Sequence, residues 1–282
     1  MSPEVKQEII VDISRNRQMS INFDIIFPFI PCYVLSVDSM DVSGEQHSAI
    51  TKEINKTRVA SDGRLIETEA YRLRGWGVPN PDMFEQCKDE KTAGSLVAIG
   101  KEGCRLAGHI DVNKVAGAFH IAPGKSYGQG HIHVHDLMAF SGEQFPLSHE
   151  IRHLSFGDTY PGQVNPLDNT NMTVDAASPM ISYFIKLVPT IYSDYSATPL
   201  VTNQYSVTWQ IKSTPLSGGS EGIPGVFFNY QISPLLVKLT KERKSFLYFL
   251  TNTCAIVGGV YTVAGLLDAF VYRSSCLLAK LH

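Results

Sequence analysis

The chain has 282 residues, of which 44% are hydrophobic and 18% are charged. This balance is typical of a folded protein with a hydrophobic core and excludes a disordered chain. The formal net charge of −3 leaves no broad cationic surface for a phosphate backbone, so we expect no nucleic-acid partner.

The first part of the chain alternates hydrophobic and polar residues. Ile, Val, Phe and Tyr are frequent in residues 8–13, 20–27 and 33–40, which favours β-strands. Pro28 and Pro31 separate the second segment from the third, as turn residues do. We therefore expect three N-terminal strands with short turns between them.

Residues 68–88 interrupt this pattern. The segments EAYRLRGW and PDMFEQCK predict two short helices, the second with Pro81 near its first turn. Strand patterns return after these helices and are separated by clusters of Gly, Pro, Asn and Asp. Seven strands are predicted there: residues 104–112, 117–121, 131–135, 151–156, 181–192, 201–212 and 226–232.

Repeated strands with no crossover helix between them favour an antiparallel β-sandwich over an α/β fold. The predicted fold class is therefore all-β, with short helices, in one domain of residues 1–245. Residues 232–245 form either a last strand or a short basic neck that leads out of this domain.

Residues 246–267 contain no Asp, Glu, Lys or Arg. At about 1.5 Å per residue this segment spans a hydrocarbon core of about 30 Å, so we predict a membrane-spanning helix at 246–270 and a short tail at 271–282. The alternative is a buried core helix, which is usually shorter and has a polar face. Ala255 and Gly259 lie on one face of the predicted helix and suit close packing of a partner helix, although small residues are common in such helices.

The sequence contains signals for both orientations of the helix across the membrane. Positive charge is concentrated before it, which by the positive-inside rule places the large domain in the cytosol. The sequons at Asn55 and Asn171 favour the lumen, where they accept glycans. The start of the chain has no apolar run typical of a signal peptide. The flanking basic residues are Lys238, Lys241, Arg243 and Lys244 before the helix, and Arg273 and Lys280 after it.

Five cysteines are too few for a disulfide scaffold. Cys87 and Cys104 flank one loop-like segment and form either a disulfide in an oxidising compartment or two separate buried thiols.

His131, His133 and His135 recur at a spacing of two, which places all three on one face of a strand. Such spacing suits metal ligation, with a further ligand from another strand. Two other interpretations remain open: ordinary strand residues, or a cluster that titrates near pH 6 to 7 and senses compartment acidity. Candidates for the further ligand are His109, His120, His149 and His153.

Several long sequence blocks carry a family resemblance, among them FPFIPCYVLSVDSMDVSGEQ, EAYRLRGWGVPNPDMFEQC and HLSFGDTYPGQVNPLDNTN. Together they resemble the endoplasmic reticulum–Golgi intermediate compartment (ERGIC) protein family, and in particular the larger subunit of its vesicle cargo receptor. The resemblance covers nearly the whole chain.

The resemblance implies a luminal β-sandwich between two membrane spans, in a cargo receptor that cycles between the endoplasmic reticulum (ER) and the Golgi membrane and retrieves ER proteins. It implies a smaller related subunit, ER-resident cargo, vesicle coat proteins and membrane lipid as partners, and neither enzymatic activity nor a cofactor. The histidine run then serves pH-dependent cargo capture or release. The alternatives are a membrane-tethered metalloenzyme that uses His131, His133 and His135, and a truncated, non-functional receptor.

Three features depart from the family pattern. The first membrane span is expected before Glu4, and a cysteine-rich segment is expected before the EAYR block, where SDGRLIE instead runs directly into Thr68. Lys280 is third from the end, as a dilysine coat signal requires, but Ala279 precedes it. The coat signal is therefore half present.

Overall fold

The computed structural model describes residues 4–13, 18–42, 52–60, 63–66, 71–74, 102–129, 132–136, 144–176, 178–195, 198–214, 222–242 and 246–281. These residues form fifteen strands and one long helix. The strands are β1 (Glu4–Val11), β2 (Gln18–Phe27), β3 (Leu35–Asp41), β4 (Lys52–Ala60), β5 (Tyr71–Arg74), β6 (Glu102–Asn113), β7 (Gly117–Pro123), β8 (Lys125–Gln129), β9 (Ile132–Asp136), β10 (His149–Phe156), β11 (Thr170–Met172), β12 (Pro179–Ser193), β13 (Leu200–Ser213), β14 (Gly225–Ile232) and β15 (Leu235–Glu242). The helix is α1 (Phe246–Leu281).

Thirteen strands form one sheet, whose main path runs β3-β7-β14-β12-β13-β10-β2-β6-β4-β5. Strand β1 pairs with β15, which pairs with β12, while β11 pairs with β10. Strands β8 and β9 form a separate two-stranded hairpin. The predicted all-β class is confirmed.

The pairing of β12 with β14 departs from the antiparallel expectation, because these strands run parallel from Met180 opposite Gly225 to Leu187 opposite Ile232. The reason is topological. Strand β13 pairs antiparallel along one edge of β12, and the chain then crosses to the other edge and returns in the direction of β12.

The large sheet folds over on itself. Strands β2 and β7 are five steps apart along the sheet, which in a flat sheet would separate them by about 24 Å. The rings of Phe23 on β2 and Phe119 on β7 nevertheless stack with centroids 6.0 Å apart. Phe119 also stacks on Phe228, and Phe228 on Tyr183, at 4.5 and 5.0 Å. These buried rings form the interior between two facing layers.

A disulfide joins Cys32, just before β3, to Cys104 on β6. The predicted pairing of Cys104 with Cys87 is therefore wrong, and Cys87 itself lies outside the described residues. The physical reason is the β2–β6 register, which places Cys104 opposite Phe27. The turn that follows β2 then returns Cys32 to within 4.8 Å of Cys104, measured between Cα atoms.

Residues 52–74 show what the hydrophobic pattern missed. Tyr71–Arg74 forms β5 against β4, where a short helix was predicted. Strand β4 carries many polar residues, so its sequence lacks the expected alternation. The second predicted helix lies outside the described residues.

The chain divides into two compact units. The larger comprises Glu8–Tyr192 and Pro199–Lys238 and contains the aromatic interior described above. The smaller comprises Met1–Gln7, Ser193–Thr198 and Leu239–His282, and includes α1. Within the smaller unit, Lys241 Nζ lies 3.5 Å from Asp194 Oδ2.

Helix α1 has 36 residues and is about 54 Å long. Its segment Phe246–Ser275 is long and apolar enough to cross a membrane, and none of its most apolar stretch is buried. The helix continues through the segment predicted as a tail, to Leu281.

Candidate functional site

Asp38 on β3 and His120 on β7 lie directly opposite each other in antiparallel register. Phe119 and Ile121 flank His120 in the sequence, and both are fully buried in the interior of the sandwich. Because successive side chains in a strand point to opposite faces, His120 and Asp38 lie on the other face of the sheet.

His135 on β9 meets this pair. Its Nε2 lies 2.9 Å from His120 Nε2, and its Nδ1 lies 3.4 Å from the hydroxyl of Ser36. The His120 ring also stacks on Phe227, with centroids 5.2 Å apart. Asp38, His120 and His135 are 6%, 5% and 7% exposed, so the three groups are enclosed.

These three residues are the one group of potential metal-ligating side chains found in the described part of the chain, and their ligand atoms lie within 4.8 Å of one another. The structure thus joins His135, from the predicted histidine run, to His120, one of the predicted further ligands. His131 lies outside the described residues, and the description of His133 is limited to its backbone, opposite Gly128. The pH-sensing role of the run stays a prediction.

His149 occupies a different buried site. Its Nδ1 lies 2.8 Å from the Leu147 carbonyl oxygen, and its Nε2 lies 2.9 Å from the Tyr183 hydroxyl. The neutral ring therefore donates from Nδ1 and accepts at Nε2. Burial lowers the pKa of His149 to about 4, although the bond to Leu147 opposes the shift. Burial also raises the pKa of Tyr183.

His153 belongs to a polar network with Asp168 and Ser155. Its Nδ1 lies 3.1 Å from Asp168 Oδ2 and its Nε2 lies 3.1 Å from Ser155 Oγ, an order of groups found in serine hydrolases. Ser155 is only 1% exposed, and its hydroxyl lies within hydrogen-bonding distance of the Gly157 carbonyl. Asp168 also accepts the backbone N–H of Leu154. This network fastens the loop after β10, and its hydroxyl is inaccessible to a substrate.

Lys56 is a half-buried cation that the sequence pattern did not predict. Its ammonium donates to the carbonyl oxygens of Leu35 and Cys32, at 2.5 and 3.3 Å. Burial lowers the pKa of Lys56 to about 8, while the charge of Asp38 acts in the opposite direction. The carbonyls satisfy the ammonium group at the point where the disulfide fixes the turn before β3.

The two sequons differ in their surroundings. Asn55 lies within β4, half-buried and flanked by β5 and β6. Asn171 lies exposed in the short strand β11.

An exposed apolar patch lies on β13, defined here by Trp209 and Ile211, which are 57% and 36% exposed. On the same strand face, Tyr205 is buried. Among the described strands, β13 pairs with β10 at Asn203 alone, so no described strand pairs with this edge of β13 beyond that residue.

The fold and helix α1 define a membrane-anchored β-sandwich protein. The family model described as endoplasmic reticulum vesicle transporter matches residues 67–268. A second model, the Endoplasmic Reticulum-Golgi Intermediate Compartment (ERGIC), matches residues 1–48. The chain belongs to the ERGIC family of ER–Golgi transport proteins, which are membrane proteins of the early secretory pathway.

Curated relatives agree with this membership. The probable endoplasmic reticulum-Golgi intermediate compartment protein 3 of Dictyostelium discoideum is 39% identical, covering 99% of this chain and 85% of the relative. Endoplasmic reticulum-Golgi intermediate compartment protein 2 of Mus musculus is 39% identical over 98% of this chain and 77% of its own. The ER-derived vesicles protein ERV46 of Saccharomyces cerevisiae is 27% identical over 95% and 85%.

The crystal structure of Erv41p shares the fold, with a TM-score of 0.55 and 24% identity over 83% of this chain and 99% of that one. The alignment with the Dictyostelium protein runs over 327 residues and is longer than this chain. This chain therefore has gaps opposite part of that relative.

Proposed function

We propose that this protein is a cargo-receptor subunit that cycles between the ER and the Golgi and retrieves ER proteins. The observation that carries the proposal is the vesicle-transporter match over residues 67–268, which includes much of the sandwich and the apolar part of α1. In this role the sandwich binds folded cargo in the lumen, and the C-terminal end of α1 faces the vesicle coat.

The Cys32–Cys104 disulfide supports a luminal sandwich. Disulfides persist in the oxidising ER lumen and are rare in the cytosol, where thiols are kept reduced. The excess of basic residues before α1 favours the opposite orientation. We give the disulfide more weight for two reasons. The positive-inside rule concerns short loops near the membrane. In the family pattern, a further span before residue 4 also sets the topology, independently of the basic residues before α1.

The apolar patch on β13 is the proposed cargo surface. Trp209 presents a large aromatic side chain to solvent, and such residues dominate the binding energy of many protein interfaces. The open edge of β13 adds backbone donors and acceptors that an extended segment of cargo can pair with. Recognition through both side chains and backbone suits a receptor that binds folded proteins lacking a retrieval tag.

The proposed partner is a smaller, related receptor subunit. Its span is expected to pack against the face of α1 that carries Ala255 and Gly259, where an added Cβ at Gly259 meets open space within this chain.

A retrieval assay tests the proposal. In cells depleted of their own family members, expression of this chain is expected to lower the secreted fraction of an untagged ER-resident protein. Trp209→Ala is expected to abolish most of that effect, whereas Val164→Ala, at another exposed apolar residue (81% exposed), is expected to retain it. Secretion that is unchanged by the wild-type chain, at normal expression and localisation, would refute the receptor function.

Retention of the effect in Trp209→Ala would refute the assignment of the cargo surface to β13. Co-purification of the smaller subunit, with and without a restored cysteine-rich segment, separates a working receptor from a truncated one.

A further inference from the structure

The cluster of Asp38, His120 and His135 has the composition of a metal site. Two imidazoles and one carboxylate form a ligand set that binds first-row divalent transition metals, whereas Mg²⁺ and Ca²⁺ prefer oxygen ligands alone. The three side chains come from three strands, β3, β7 and β9, so the fold and not local sequence brings them together.

The distances agree with this composition. Two imidazole nitrogens bound to one ion at about 2.0–2.1 Å and separated by 2.9 Å subtend about 90° at the ion, the angle of an octahedral site. The ligand atoms of all three residues lie within 4.8 Å of one another. Approach of the Asp38 carboxylate to the two imidazoles would complete a set of three protein ligands.

The surroundings hold the ligands in place. Phe227 stacks on the His120 ring, and the hydroxyl of Ser36 lies 3.4 Å from Nδ1 of His135, the nitrogen that remains after Nε2 binds metal. Such outer contacts orient metal-binding imidazoles. The charge of Asp38 also acts on Lys56, whose ammonium is already held by two backbone carbonyls.

We propose that Asp38, His120 and His135 bind a divalent first-row transition-metal ion that fastens the β8–β9 hairpin to the outer face of β3 and β7. Two-stranded hairpins are marginally stable on their own, and β8 and β9 form a sheet separate from the large one. The ion thereby links two sheets that no described backbone ladder joins. This site is independent of the cargo-receptor proposal.

Metal loading of the full-length chain tests the site. The protein, purified in detergent through a tag without histidine and stripped with a chelator, is titrated with Zn²⁺. Wild type is expected to bind about one Zn²⁺ per chain and to gain thermal stability. His120→Gln and Asp38→Asn are expected to weaken binding by more than about 10-fold. His109→Gln, at a half-buried histidine on β6, is the matched control and should bind as wild type does.

X-ray absorption on the zinc-loaded wild type keeps the test independent of any variant's folding. The expected result is two imidazoles and at least one oxygen in the coordination shell. A wild-type chain that binds no Zn²⁺, a shell without imidazole, or unchanged affinity in both His120→Gln and Asp38→Asn would overturn the proposal. The 2.9 Å contact would then be a hydrogen bond between two neutral histidines.

Discussion

His149, in the interior of the sandwich, makes the free energy of unfolding depend on pH. Its ring is neutral in the folded state because burial lowers its pKa from 6.5 to about 4. Unfolding restores the ordinary pKa, so the unfolded state binds the proton first as the pH falls. The stabilisation of the folded state is thus intact above pH 6.5 and declines as the pH falls from 6.5 to about 4.

We expect wild type to lose about 2 kcal/mol of unfolding free energy from this group between pH 7 and pH 5. His149→Gln removes the titrating ring, so its loss over the same interval should be smaller by about that amount. Urea unfolding of both proteins at the two pH values measures the difference. Equal losses in the two proteins would show that His149 does not titrate in this way.

Asn171 is the expected glycan acceptor. Its side chain is exposed in β11, whereas Asn55 is half-buried between two neighbouring strands. Endoglycosidase treatment of the chain expressed in cells should give a mobility shift that Asn171→Gln removes and Asn55→Gln retains. A shift that persists in Asn171→Gln would contradict this assignment.

Residue chemistry was only partly readable from the sequence. The period-two histidine run indicated a site, and His135 lies in one. Its partners are distant in sequence, because His120 on β7 is 15 residues away and Asp38 on β3 is farther still. The partner of Cys104 was missed for a related reason, since the choice between Cys32 and Cys87 depends on strand register, which local pattern does not determine.

At the scale of the elements, the Cys32–Cys104 disulfide closes a covalent loop with a sequence separation of 72. Closing a loop of this length restricts the unfolded chain and stabilises the fold by about 4 kcal/mol. Replacing both cysteines by alanine should lower the urea midpoint accordingly.

The matched control for the disulfide is Cys254→Ala, which removes a free, exposed thiol on α1. It should leave the midpoint of the sandwich unchanged. A double variant as stable as wild type would rule out this link as a structural element.

Helix α1 presents Ala255 and Gly259 on one face, and we expect that face to contact the proposed smaller subunit. Ala255→Leu with Gly259→Leu adds bulk where close approach is needed and should sharply reduce co-purification of that subunit. Val257→Leu, about 160° away from Gly259 around the helix, is the control and should retain it. Equal recovery with both variants would place the contact elsewhere.

Element prediction succeeded where alternation was strong. Strands β12, β13 and β14 match their predicted segments to within two residues. Strand β4 was missed because Lys56 turns its polar head inward to backbone carbonyls, and β5 was assigned to a helix because four residues are too few to establish a period.

At the scale of the whole molecule, the sequence supported an all-β sandwich with one apolar helix, and the structure confirms both. The parallel pairing of β12 and β14 could not be predicted from the sequence. The direction of a returning strand depends on the path of the connection, which composition does not encode. Orientation across the membrane was left divided between charge and sequons. The disulfide now favours the lumen.

Protease protection in intact microsomes tests the luminal sandwich most directly. We predict that the sandwich remains protected until detergent opens the membrane, with digestion before that limited to segments outside the vesicle. Complete digestion of the sandwich in intact microsomes, with a luminal marker still protected, would contradict it.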